Sequence, residues 1–392
     1  MRCKLCGEMV INTDGSPPSL DIHGIAPDEL INTPAYRWLK IAVERQASDL
    51  FLSVAGPPKI KVSNEFIALQ PEPLSVEDIS QIMTALLPEK KLAEFHAGSD
   101  VDIGIDVEGF SRFRVNAFHQ LHGESLALRP LPYRIPTMAE LLLPEVLREL
   151  SLLTHGLILI TGTTGCGKST TLAAMIDMIN QRDQKHIITI EDPIEYIIPP
   201  RLSLIHQREV GTHVASFADG LRSALREHPD IIMVGELRDL DSISLAVRAA
   251  ETGHLVLATL HSGSAVQAIT RLTDVFDSNH QAQIRIQLSQ SLQAVVSQRL
   301  FKRRDRPGMA VATEIMIVTL AMRTLIRENR IQEMRGFMES GAREQMNTLR
   351  QSVEERIREG ILDDQCLAHL NESPVHELKD SEMKVNGLPL AR

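Results

Sequence analysis

The sequence predicts an α/β protein built on a buried parallel sheet, preceded by a smaller α+β domain and followed by a helical region. Three observations predict this. Gly162-Thr163-Thr164-Gly165-Cys166-Gly167-Lys168-Ser169 has the spacing G-x-x-x-x-G-K-[ST], with a β-prone apolar run before it and helical periodicity after it. Four short apolar runs, residues 157–160, 187–190, 231–234 and 255–258, alternate with helical stretches and each end in chemically useful residues. That is the pattern of parallel strands covered on both faces. Finally, Arg129-Pro130-Leu131-Pro132-Tyr133-Arg134-Ile135-Pro136 interrupts regular hydrogen bonding and reads as a stiff linker between two domains.

Taken in order, residues 1–33 hold turn signals such as Asp14-Gly15-Ser16-Pro17-Pro18 and read as an extension. Residues 34–129 form the α+β domain. Trp38, Leu39, Ala42 and Val43 mark a helix, and alternating runs near 50–54, 59–62, 101–105 and 113–118 mark strands. A second helix begins after Leu74-Ser75 and carries Ile79, Ile82, Met83 and Leu86. Residues 130–137 are the linker, 138–305 the nucleotide-binding core, and 306–371 a helical C-terminal region. Residues 372–392 are expected to be a disordered tail.

At 392 residues and 43% hydrophobic content, the chain can bury two or three cores. A net charge of −10 offers no broad basic surface, which points to protein rather than nucleic acid as partner. No apolar stretch approaches the ~20 residues a bilayer span needs, and Met1-Arg2-Cys3-Lys4-Leu5-Cys6 lacks a signal-peptide core. A cytoplasmic protein with peripheral membrane contact is expected. Cys3 and Cys6 supply only half of a zinc site and read as a terminal segment without metal.

The phosphate loop implies binding of ATP or GTP. Its glycines let backbone N–H groups wrap a triphosphate, and the helix start adds positive potential. Lys168 reaches the β/γ-phosphates, and the Ser169 hydroxyl is a ligand for Mg²⁺. Gly162, Thr163, Thr164, Gly165, Cys166, Gly167, Lys168, Ser169 and Thr170 are the candidate binding residues. Glu236 closes the apolar run 231–234 and is placed to hold Mg²⁺ directly or through water. Glu191-Asp192-Pro193-Ile194-Glu195 crowds three carboxylates into five residues, which mutual repulsion penalises unless a cation or water uses them. Glu191 is a candidate general base with Glu195 in support, and the choice between Glu191 and Glu236 as base stays open. His254 and His261 flank the last run and suit phosphate sensing or coupling to a neighbouring subunit.

These motifs together resemble the secretion ATPase superfamily, in particular the type IV pilus retraction ATPases. The loop at 162–169 matches the first nucleotide motif, residues 190–196 the aspartate box, 229–239 the second nucleotide motif and 253–262 the histidine box. The resemblance implies a homo-hexameric ring of RecA-like domains that hydrolyse Mg·ATP at subunit boundaries, with a PAS-like N-terminal domain. It implies catalytic roles for Lys168, Glu191, Glu236 and His261, nucleotide contact by His254, and two arginines, Arg114 and Arg129, that reach the phosphates from the N-terminal domain. It further implies an inner-membrane pilus platform protein as partner, with a paralogous ATPase as a possible companion. The absence of cysteine between Ser262 and Asp305 separates the chain from the zinc-bearing assembly branch. Ala321-Met322-Arg323-Thr324-Leu325-Ile326-Arg327-Glu328 resembles the retraction branch's C-terminal helix motif, with departures at Met322 and Thr324. The alternatives are an ATPase energising a related secretion or conjugation system, or a nucleotide-binding accessory subunit of a retraction motor.

Overall fold

The computed structural model describes residues 23–25, 30–31, 33–45, 47–62, 65–107, 110–131 and 134–371. The expectations for Cys3, Cys6 and the tail after 371 lie outside these residues. The chain divides into two compact units, Met1–Arg134 with Pro193–Ile197, and Ile135–Asp192 with Ile198–Arg392.

The first unit is a mixed sheet under three helices. Strands β1 (His23–Ile25), β2 (Asp49–Ser53), β3 (Lys59–Val62), β4 (Glu65–Ala68), β5 (Val101–Val107), β6 (Ser111–Gln120) and β7 (Gly123–Leu131) lie in the order β1-β5-β6-β7-β2-β3-β4. β1 runs parallel to β5, and the remaining pairs are antiparallel. The helices are α1 (Pro34–Glu44), α2 (Val76–Leu86) and α3 (Glu89–His96). α2 starts where its cap dictates: the Ser75 hydroxyl accepts the Asp78 N–H at 3.1 Å while the Asp78 carboxylate accepts the Ser75 N–H at 2.8 Å. This reciprocal box satisfies two otherwise unpaired donors. Ile79, Ile82, Met83 and Leu86 are then buried, as their spacing predicts.

Two boundaries differ from expectation. β1 precedes residue 34 and pairs with β5, so the expected extension contributes a strand. β7 continues through Pro130 to Leu131, inside the expected linker. β2 stops pairing with β7 at Leu128, so Pro130 has only β6 beside it, where its missing N–H is tolerated.

The second unit is built on β8 (Gly156–Thr161), β9 (His186–Glu191), β10 (Leu204–Glu209), β11 (Ile231–Val234), β12 (Leu255–Leu260), β13 (Leu292–Lys302) and β14 (Met309–Ile317), in the order β10-β9-β11-β12-β8-β13-β14. All neighbours are parallel except the β13–β14 hairpin. The four expected apolar runs are β8, β9, β11 and β12. In β8, Leu157 and Leu159 face one core while Ile158 and Ile160 face the other. Each of these fully buried side chains contributes about 1.5–3 kcal/mol.

Helices α4 (Glu145–Ser151) and α5 (Lys168–Arg182) cover one face, where Leu147, Leu172, Met175 and Ile176 meet Ile158, Met233 and Leu257. Helices α6 (Phe217–Ala224), α7 (Leu240–Glu251), α8 (Ala265–Asp274) and α9 (Ser278–Ser291) cover the other, joined by α10 (Leu320–Arg327) and α11 (Met334–Ser340). Helices α12 (Leu349–Arg358) and α13 (Gln365–Asn371) pack on a small cluster around Phe301, Ala312 and Val353. The region after 306 is therefore not helical throughout, because β14 comes first and extends the sheet. Among the described residues no helix is long and apolar enough to cross a membrane.

Candidate active site

Ligands in open parallel sheets gather beyond the carboxyl ends of the strands. Here β8 ends at Thr161, and the chain turns through the glycine-rich loop into α5. Gly162, Gly165 and Gly167 have φ of +143°, +76° and +90°, angles that side-chain-bearing residues rarely adopt. At Gly162 a Cβ would stand 2.5 Å from Cys166 Sγ and 2.6 Å from the Gln298 carbonyl oxygen. The loop is thus packed from beneath by its own cysteine and by β13. Burial pushes the Cys166 thiol up, against the opposing pull of the Lys168 charge, so Cys166 acts as a packing group.

α5 begins at Lys168, so the first-turn amides that lack intrahelical acceptors start at the end of the loop. Lys168 is only 9% exposed, and its Nζ donates to the carbonyls of Gly162 and Thr163, each at 3.0 Å. Its ammonium is held where the loop folds over. Beneath it, Gln298 donates to the Thr171 hydroxyl at 2.7 Å, fixing the first turn of α5 to β13.

A cavity of about 470 Å³ opens beside the loop, lined by Gly162, Thr163, Thr164, His261, Ser262, Gly263, Gln267 and Arg271. That volume lies in the roughly 300–1,000 Å³ range of small-molecule sites. His261 follows β12, the strand next to β8, which is why a residue about a hundred positions away lines the same cavity. Its Nε2 lies 3.3 Å from Glu236 Oε1. Glu236 Oε2 accepts Arg238 Nε at 2.6 Å, and Arg238 Nη1 lies 3.7 Å from Asp192. Glu191, 6% exposed at the end of β9, accepts the Thr189 hydroxyl at 2.6 Å and Gln207 Nε2 at 3.0 Å. Gln207 in turn accepts the Ile198 N–H at 2.8 Å. Asn180, fully buried, accepts the Arg201 N–H at 3.0 Å and donates to the Pro199 carbonyl at 2.8 Å, tethering the segment that leads into β10.

The sequence-expected residues therefore separate. Gly162, Thr163 and Thr164 of the loop share one cavity with His261, Lys168 is held within the loop by the Gly162 and Thr163 carbonyls, and Glu236 lies against His261. His254 does not join them. It precedes β12 at the opposite end of the sheet, one six-residue strand or about 20 Å from the loop, and its Nδ1 is 3.0 Å from the Ala249 carbonyl. Of the two roles expected for the histidines, phosphate sensing or coupling to a neighbouring subunit, this placement sets His254 apart from the loop of its own chain. Arg114 and Arg129 lie directly opposite one another across β6 and β7. Arg114 Nη2 is paired with Asp102 at 2.6 Å and Arg129 Nη2 with Asp49 at 2.9 Å. Sequence reasoning missed Gln207, Arg238, Gln267, Arg271 and Gln298. Only Arg238 had a signal, its place two residues after Glu236. The others depend on strand and helix neighbours that spacing does not disclose.

A parallel sheet whose strand-end loop cradles phosphate, with carboxylates at the ends of two further strands, defines the class of P-loop nucleoside triphosphatases. Within that class the chain belongs to the type II/IV secretion system protein family, whose model matches residues 35–377. It is 43% identical over 324 residues to the type IV pilus retractation ATPase PilT of Pseudomonas aeruginosa, an alignment covering 83% of this chain and 94% of that protein. It is 40% identical over 305 residues to a twitching motility protein of Neisseria gonorrhoeae, covering 78% and 82% of the two chains. The crystal structure of the pilus retraction motor PilT with bound ADP is similar with a TM-score of 0.78 and 42% identity, covering 86% of this chain and 97% of that one. The family expected from the four motifs is the one that matches.

Proposed function

We propose that this chain hydrolyses ATP and, as a subunit of a homo-hexameric motor, drives type IV pilus retraction from the cytoplasmic side of an inner-membrane platform protein. The observation that carries the reading is the Glu236–His261 contact beside the phosphate loop, since it links a carboxylate able to orient water to a residue lining the nucleotide cavity. The names of the relatives support the choice of retraction over export.

In this reading the loop amides and Lys168 bind the β/γ-phosphates, and His254 is left without a phosphate role in its own chain. The donor set fits a hard divalent cation: the Ser169 hydroxyl would supply an oxygen ligand and the Glu236 carboxylate would hold the cation directly or through water, and Mg²⁺ commonly takes one or two protein oxygens with phosphates and water completing its shell. When bound, Mg²⁺ neutralises charge building on the β- and γ-oxygens. Glu236 orients the attacking water and takes its proton, with His261 holding one carboxylate oxygen and Arg238 the other. Glu191, fastened by Thr189 and Gln207, is a less mobile acceptor and supports the water network with Glu195. Arg114 and Arg129, adjacent across two strands, supply positive charge to the transferring phosphoryl group.

Two measurements test this. Purified chain should hydrolyse ATP with Mg²⁺, and Glu236→Gln should lose that activity while still binding nucleotide. In the cell, loss of the gene should leave surface fibres abundant but unable to retract. Absence of fibres would assign the motor to assembly instead.

A further inference from the structure

The structure assigns to Glu314 a positioning role in hydrolysis: its carboxylate joins β14, the strand to which the start of α12 is fastened, to the start of α8, the helix that carries part of the nucleotide cavity. Glu314 is half-buried in β14, away from the phosphate loop. Its Oε1 accepts the N–H of Ala265, the first residue of α8, at 2.7 Å. The same carboxylate feels the charge of Arg335 on α11. The Ala265 amide belongs to a first helical turn, whose N–H groups have no acceptor within the helix and carry the positive end of the dipole. Burial pushes this carboxyl up in pKa, against the opposing pull of the Ala265 amide and the Arg335 charge.

The two sides of that bridge differ in what they touch. On the α12 side, Glu314 stands between two β14 residues tied to that segment: the Thr313 N–H donates to the Ser352 hydroxyl at 3.1 Å, and Ile315 exchanges backbone bonds with Asn347. On the α8 side, Ala265 lies four residues after His261, and α8 carries Gln267 and Arg271 into the cavity wall. Arg271 donates back to the His261 carbonyl, so α8 and the end of β12 move as one piece. A displacement of α12 is thereby transmitted through Glu314 to the residue that holds Glu236. The C-terminal helices gain a mechanical connection to the hydrolytic carboxylate without touching the nucleotide.

This inference rests on the hydrolytic reading, and the test separates the two. Wild type, Glu314→Gln and Glu314→Ala are compared for kcat, KM, ADP dissociation constant, thermal midpoint and amide exchange across residues 261–267. Alanine should lower kcat at least tenfold, leave the ADP dissociation constant within threefold because β8 and α5 hold the loop, and speed exchange at Ala265 at least tenfold. Glutamine, which keeps an oxygen acceptor, should retain at least a third of kcat and most of the protection. The role is overturned if alanine leaves kcat within twofold, if lost activity merely tracks lost folded protein, or if glutamine fails as badly as alanine. A wild type without hydrolysis would sink the functional reading, and unchanged exchange at Ala265 would still overturn the Glu314 bridge on its own.

Discussion

Replacing Gly162 with alanine tests the loop at the place where its geometry is most constrained. The φ of +143° imposes backbone strain on any side-chain-bearing residue, about 1–3 kcal/mol. The added Cβ would also stand 2.5 Å from Cys166 Sγ and 2.6 Å from the Gln298 carbonyl. Overpacking of this kind costs about 1–3 kcal/mol, and the carbonyl cannot yield because β13 is hydrogen-bonded between β8 and β14. The central expectation is a loss of about 4 kcal/mol, which in a unit of this size lowers the thermal midpoint by about 8–16 °C. Gly165→Ala is the control. Its φ is +76° with no atom within 4 Å of the added carbon, so strain alone, about 1–2 kcal/mol, should appear. Adding Cys166→Ala to Gly162→Ala removes the sulfur clash but leaves the carbonyl, and should recover no more than half the loss. Calorimetry or dye-monitored melting reads all four proteins, with and without ADP. At one hundred times its dissociation constant ADP should stabilise wild type by about 2.7 kcal/mol and Gly162→Ala hardly at all. A Gly162→Ala midpoint no lower than that of Gly165→Ala, or full recovery by Cys166→Ala, would refute the packing argument.

Glu236→Gln should cut kcat by at least a hundredfold in a steady-state assay while a fluorescent ADP analogue still binds within a few-fold of wild type. Asn180→Ala removes hydrogen bonds to Pro199, Arg201 and Ser203 from a buried site and should destabilise the second unit by about 3 kcal/mol in urea melts. Arg114→Ala breaks a pair with Asp102 that is more than a third exposed, so it should change stability by less than about 1 kcal/mol yet lower ATP turnover at least tenfold. Because burial raises the Glu314 carboxyl, the folded chain keeps that proton where the unfolded chain has lost it. Its contribution is complete below about pH 4.5 and is lost as pH rises through the folded value, so wild-type stability should fall over that window relative to Glu314→Gln in denaturant titrations.

The strands that could be read from sequence are those with no polar duty along their length. Residues 157–160, 187–190, 231–234 and 255–258 are covered on both faces, so burial leaves an unbroken apolar record. β10 is an edge strand whose outward residues include His206, Arg208 and Glu209, and β13 carries Gln293, Ser297, Gln298 and Arg299. Neither has a run that periodicity can detect. β14 was hidden for another reason: Met309, Ala310, Ala312 and Met316 are good helix formers, and only the pairing with β13 turns the segment into a strand. Capping, by contrast, is local: the start read after Leu74-Ser75 is where the Ser75–Asp78 box begins α2.

The site shows why motif order and spatial order must be kept apart. Along the chain the phosphate loop comes first, then Glu191, Glu236 and His261. Across the sheet, β9-β11-β12-β8, the order is Glu191, Glu236, His261 and the loop. His261 therefore stands between Glu236 and the phosphate cradle, a position its sequence distance from both conceals. Any rearrangement at the loop that moves His261 is felt at Glu236 through the 3.3 Å contact, whereas Glu191 is fastened one strand further out by Thr189 and Gln207. Of the two carboxylates that composition alone could not rank, the one coupled to the cavity wall can respond to what the cavity holds. That asymmetry favours Glu236 as the base and Glu191 as the fixed edge of the water network.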